Sequence, residues 1–186
     1  RFAKSDDLTI TYGVGHFNRN PRTVQHLQRW YGKFMESLAL MRRVTGSDGN
    51  LHVDRVWHDV RMRTWTATLA APLTEPRVVL HNPEGGRQFA WLAGRGQETG
   101  DEKYRDLGER AVRHALKAAT HREDYCHFGP PEEMPLGWTA TFTGWTVQGV
   151  SHYYAATGSG AALELATRLA RYVKDHAEIF DEDAQL

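Results

Sequence analysis

The chain has 186 residues, of which 40% are hydrophobic and 25% charged, and its formal net charge is zero with His neutral. That length suffices for one domain with a core, and the balanced charge excludes an overall field that would recruit nucleic acid or an anionic membrane. A single cysteine, Cys126, excludes an internal disulfide and a multi-cysteine metal site, and no apolar run approaches the about 20 residues of a membrane helix.

In chain order, Leu8 to Val14 alternates enough for a short strand. A helix follows in which Leu27, Trp30, Phe34, Leu38 and Met41 recur at steps of three and four residues, a one-sided apolar stripe. It ends at Thr45-Gly46-Ser47. Leu51 to Leu69 is the expected partner helix, although Thr64 to Leu69 also reads as a strand. The prolines and glycines of Pro72 to Gly86 predict a loop. A second helix, Gln88 to Thr99, ends in Thr99-Gly100-Asp101, and Glu102 to Thr120 follows with its stripe Tyr104, Leu107, Ala111 and Ala115. Tyr125 to Gly137, with three prolines, is a long loop. A third helix through Trp145 ends in Thr157-Gly158-Ser159, and Gly160 to Ile179 carries Leu165, Leu169, Tyr172 and His176 on one side.

The Thr-Gly turns recur at steps of 54 and 58 residues, each long enough for two helices and their loops. Glycine closes a helix C-terminus in the left-handed conformation, and the Ser or Asp after it stands where the next helix needs an N-cap. The reading is therefore all-α: one domain over residues 1–186 built from tandem hairpins at about 22–69, 87–120 and 138–179. The chain opens at Arg1 without a methionine and stops soon after a helix, so it is expected to be partial, with exposed hairpin edges open to self-association. No signal peptide is visible, and both a cytoplasmic location and export behind a leader outside this chain stay open.

The segments YYAATGSGAALELATRLARYVKDH (153–176) and WYGKFMESLALMRRVTGS (30–47) resemble the recurrent helix–TG–helix phrase of the six-hairpin glycosidase superfamily. The nearest resemblance is to the bacterial β-L-arabinofuranosidase-like group, over most of the chain from about Pro21 onward. It implies an α/α toroid, of which this chain supplies about half, and a carbohydrate-active enzyme. Glycoside hydrolysis by acid/base carboxylates in a central funnel is the first expectation, with a sugar as the partner. A sugar epimerase or polysaccharide lyase on the same scaffold, and a non-catalytic helical repeat that binds a partner, are the alternatives. The group's zinc site of clustered cysteines and a glutamate does not carry over, because Cys126 is alone. No cofactor or metal is expected.

Within that frame the loop Asp124 to Met134 gathers an acid, a thiol, an imidazole and two carboxylates. A glycosidase needs two carboxyl groups, one protonated and one ionised, across the scissile bond. Glu132 or Glu133 fits one role and Asp124 the other, against the reading that all three are solvated loop residues. Cys126 and His127 are neighbours, a poor geometry for mutual activation, so Cys126 reads as a buried, inert thiol and His127 as a substrate contact. His152, with Gln148 one turn earlier on the same helix face, suits either proton transfer in a sugar pocket or a hydrogen bond in the core. Trp138 and Trp145 suit sugar stacking or core packing. His58 and Asp59, beside Arg61 and Arg63, form a second cluster able to bind a carboxylate-bearing sugar or to make surface ion pairs.

Overall fold

A computed structural model describes residues 37, 40–49, 51–52, 54–55, 58–59, 62, 84–128 and 136–177, with only the backbone course given for 84–85 and 136–142. The described residues are mostly helical, consistent with an all-α fold, and among them there is one pair of two-residue strands. The chain divides into two compact units, Arg1–Ala71 and Pro72–Leu186.

In the first unit, residues 40–45, 51–52, 54–55, 58–59 and 62 are helical on either side of the turn at Gly46. Arg42 ties that turn together. It pairs with Asp54 beyond the turn, and its Nη1 donates to the carbonyls of Ser47 and Gly49, each at 2.8 Å. The expected strands at Leu8–Val14 and Thr64–Leu69 lie outside the described residues, as do Leu27, Trp30, Phe34 and Leu38.

Among the described residues, the second unit holds four α-helices, labelled α1 (Glu84–Thr99), α2 (Glu102–Ala118), α3 (Leu136–Thr157) and α4 (Gly160–Arg171). Between α2 and α3, β1 (Thr120–His121) pairs antiparallel with β2 (Cys126–His127), Thr120 opposite His127. A π-helical turn, Tyr172–His176, continues α4. Where the sequence predicted a loop as far as Gly86, α1 already begins at Glu84. An acidic first residue favours a helix N-terminus, and Gly86 is held helical by its packing. Helix α2 ends at Ala118, short of the predicted Thr120, because the next residues enter the strand pair.

The three Thr-Gly turns close by the same bonds. Thr99 Oγ1 donates to Arg95 O at 2.7 Å and accepts from Asp101 N at 3.2 Å, while Gly100 N donates to Gly96 O at 2.9 Å. Thr45 repeats this with Met41 O and Ser47 N, and Thr157 with Tyr153 O and Ser159 N. The glycines sit at φ of 65°, 66° and 71°, where a side chain would be strained. Asp101 caps α2 through Lys103 N, and Ser159 caps α4 through Ala162 N. In the first copy Ser47 Oγ accepts instead from Gly49 N, and the described helix resumes at residue 51.

Helices α1 and α3 lie side by side and run parallel. Gly86 near the start of α1 meets Trp145, Thr146 and Gly149, while Ala93 and Gly96 further along share a cleft with Tyr153 and Ala156. Their backbones approach so closely that a Cβ on Gly149 would stand 1.6 Å from Gly86 O, and one on Gly86 1.8 Å from Trp145 O. Helices α2 and α4 form a second layer across the core. Phe89, Leu92, Leu107, Val112, Val150, Tyr153, Leu165 and Leu169 fill the space between. Gly108 lets the Tyr153 ring against α2, where its hydroxyl donates to Arg105 O at 2.6 Å.

The last helix departs from its expected stripe. Leu165, Leu169 and Tyr172 are buried as predicted, but His176 is exposed and Ala177 takes the inward place at 1% exposure. The π turn inserts one extra residue per turn, so the register slips by one beyond Tyr172.

Candidate functional site

Three sides of helix α3 have distinct surroundings. Trp145, Gly149 and Tyr153 meet α1, and Thr146 and Val150 are buried in the core. Opposite the buried Val150, at 3.6 residues per turn, stand Gln148, His152 and Ala155, all exposed. Both layers pack through the core, so the matching side of α1 opens in the same direction. The step of 58 residues that superposes the turns places Ala90 opposite Gln148 in the repeat and Gly94 opposite His152. Ala90 and Gly94 are half-buried, and a Cβ on Gly94 would meet no atom within 4 Å. The result is one side with two exposed hydrogen-bonding side chains on α3 and two half-buried small residues on α1. His152 and Gln148 can together donate and accept hydrogen bonds.

A second cluster forms around the strand pair. Arg168 of α4 donates through Nη2 to the carbonyls of Arg122 and Tyr125, the latter at 3.1 Å, and Arg171 donates to Asp124 O at 3.2 Å. These bonds hold the connection 122–125 against α4. Tyr125 stacks on His176 with ring centroids 3.9 Å apart and lies 5.9 Å from Tyr172, which in turn is 5.2 Å from His127. The Asp124 carboxylate is 3.9 Å from His176 Nε2.

The candidates from the sequence therefore separate. His152 and Gln148 are both exposed on one side of α3. Asp124 and His127 belong to the strand-pair cluster. Asp124 is exposed and turned toward His176, whereas His127 is buried at 3% exposure, wedged by aromatic rings rather than open to a ligand. Cys126 is fully buried, and desolvation pushes its thiol up to about 11 despite the nearby Arg168. Both residues of β2 point inward, unlike the alternation expected of neighbours. Trp145 is half-buried at the α1–α3 contact with the Arg87 guanidinium 5.8 Å over its ring. Trp138 lies in the first turns of α3, where side chains are not described. Glu132 and Glu133 lie outside the described residues. In the first unit His58 Nδ1 and Asp59 Oδ1 pair at 3.0 Å, with Asp59 well exposed.

Sequence reading missed Ala90, Gly94 and the stacked pair Tyr125–His176. The repeat step carried the signal for the first two, since positions equivalent to Gln148 and His152 could have been read off the turn spacing. No sequence signal marked the π turn that turns His176 toward Tyr125. Among the described residues no three His, Cys, Asp or Glu side chains converge as a metal site would require, and no helix is long and apolar enough to cross a membrane. Compared with protein-family models, with curated proteins and with solved structures, the chain matches none.

Proposed function

We propose that the chain forms part of an α/α toroid and acts on carbohydrate, most plainly as a glycoside hydrolase. The observation that carries this reading is the exposure of Gln148 and His152 on one side of α3, with the small residues Ala90 and Gly94 at the equivalent positions of α1. In a toroid, parallel helices such as α1 and α3 form the inner ring, and the face away from their partners lines the funnel. A sugar offers hydroxyls in need of donors and acceptors, and Gln148 with His152 supplies both. Glu132 and Glu133, in the connection leading into α3, are the proposed acid/base carboxylates. Asp124 is the weaker member of that set, because its carboxylate faces His176 beside α4.

A sugar epimerase or lyase is the second reading, and the exposure of His152 on the same face favours it. In that chemistry His152 moves the proton and the glutamates are dispensable. The test is turnover of a panel of neutral and uronate-bearing oligosaccharides by the intact chain and by Glu132→Gln, Glu133→Gln and His152→Ala. Hydrolysis lost in a glutamate variant supports the first reading. Epimerisation or β-elimination lost only in His152→Ala supports the second. Turnover untouched by all three changes defeats both residue assignments, and no turnover with any sugar defeats both readings and leaves a helical binding module.

A further inference from the structure

The repeat identifies an interface with one half on each of two helices. On α1, the residues that meet α3 are Gly86, Phe89, Ala93 and Gly96. One step of 58 residues onward, α3 carries Gly144, Val147, Ser151 and Tyr154 in the same places. These four are partly or well exposed, Tyr154 by 38%, and a Cβ on Gly144 would meet nothing within 4 Å, in contrast to its counterpart Gly86. The face that α1 gives to α3 is thus reproduced on α3 and left open.

The complementary half lies in the first unit. Gly149, Tyr153 and Ala156 of α3 face α1, and superposing Thr157 on Thr45 puts Ser37, Met41 and Val44 at those positions. All three are exposed, Met41 by 63% and Val44 by 85%, an unusual cost for apolar side chains on one helix face. We propose that a second copy of this chain docks its Ser37–Met41–Val44 face on Gly144, Val147, Ser151 and Tyr154, continuing the α1–α3 packing from molecule to molecule. The contact is heterologous, because different faces of the two copies meet. It is independent of the chemistry proposed above.

Sedimentation velocity of the full chain over a wide concentration range tests this, with Val44→Arg and Val147→Arg as probes and far-UV circular dichroism as the folding control. The wild type is expected to associate. Each variant alone is expected to lose association by about tenfold or more, since an arginine would be buried without a partner. Mixed in equal amounts, the two variants are expected to pair, and to stop at the dimer, because one retains the α3 face and the other the Val44 face. If Val147→Arg loses helix, Ser151→Arg replaces it, and Met41→Arg replaces Val44→Arg on the same criterion. A wild type that stays monomeric throughout overturns the proposal. So does a mixture that does not pair, which would point to like faces meeting, or a single variant that associates as the wild type does.

Discussion

Replacing Gly149 by Ala sets two effects against each other. Alanine is the better helix former by about 1 kcal/mol, so on an open helix face the change stabilises. At position 149 the added carbon would stand 1.6 Å from the Gly86 carbonyl oxygen and 2.2 Å from its carbon, where ordinary contact begins at 3.4 Å. Both obstructing atoms are backbone and cannot rotate aside, so α1 and α3 must separate along their whole contact. Overpacking of this kind costs about 1–3 kcal/mol, and a backbone clash belongs at the upper end. The propensity gain offsets roughly a third of that, leaving a net loss of about 2 kcal/mol. For a chain of this size Tm should fall by about 4–8 °C. Gly94→Ala on α1 is the paired control, because its Cβ meets no atom within 4 Å. It should raise stability by up to about 1 kcal/mol. Thermal and urea unfolding, followed by far-UV circular dichroism at dilute concentration, measure both. A Gly149→Ala protein that unfolds at or above the wild-type midpoint would refute the close approach of α1 and α3.

Four further expectations rest on separate parts of the molecule. Cys126, buried and with its thiol raised to about 11, should resist alkylation at neutral pH in the folded chain and react at once in denaturant; fast native labelling would contradict its burial. Ser159→Ala removes both the α4 cap and the 2.6 Å bond to Glu109, and should cost about 1–2 kcal/mol in urea unfolding, against a negligible change if the cap is idle. Desolvation and the neighbouring Lys117 hold His114 below its ordinary 6.5, so the folded chain binds its proton less readily than the unfolded one. Its effect on stability is therefore nil above that pH and unfavourable as pH falls through 6.5 and below, and His114→Gln should flatten this part of the pH–stability curve. Arg168→Met should release the connection 122–125 and speed amide exchange there while α1 and α2 stay protected; unchanged exchange would show that the carbonyl bonds do not hold it.

The hairpins were legible because their signals are local. Thr, Gly and a capping Ser or Asp act within a few residues of one another, and the structure shows the same bonds at Thr45, Thr99 and Thr157. The stripe of α2 was legible for the same reason, with Tyr104, Leu107, Ala111 and Ala115 all buried. What depends on packing between helices was not. Nothing near Gly86 or Gly149 in the sequence distinguishes them from Gly94, yet two sit at a backbone contact and one does not. The site was read in part. Spacing put His152 and Gln148 on one face, but whether that face was core or open depends on α1 and on the second layer. The acids of the 124–134 loop looked equivalent in sequence, and only the bonds from Arg168 and Arg171 show that Asp124 is tied toward α4.

The π turn after α4 makes this end of the second unit tolerant of a change that the helix before it would not accept. Within the turn the chain carries one residue more than an α-helical turn needs, which is why Ala177 and not His176 faces inward. Removing one residue from 173–175 would take out that surplus and leave a plain α-helical turn. Ala177 would then stand four residues after Tyr172 and keep its inward place, with His176 still beside it. The same deletion one turn earlier, within α4, would rotate the described residues after it by about 100°.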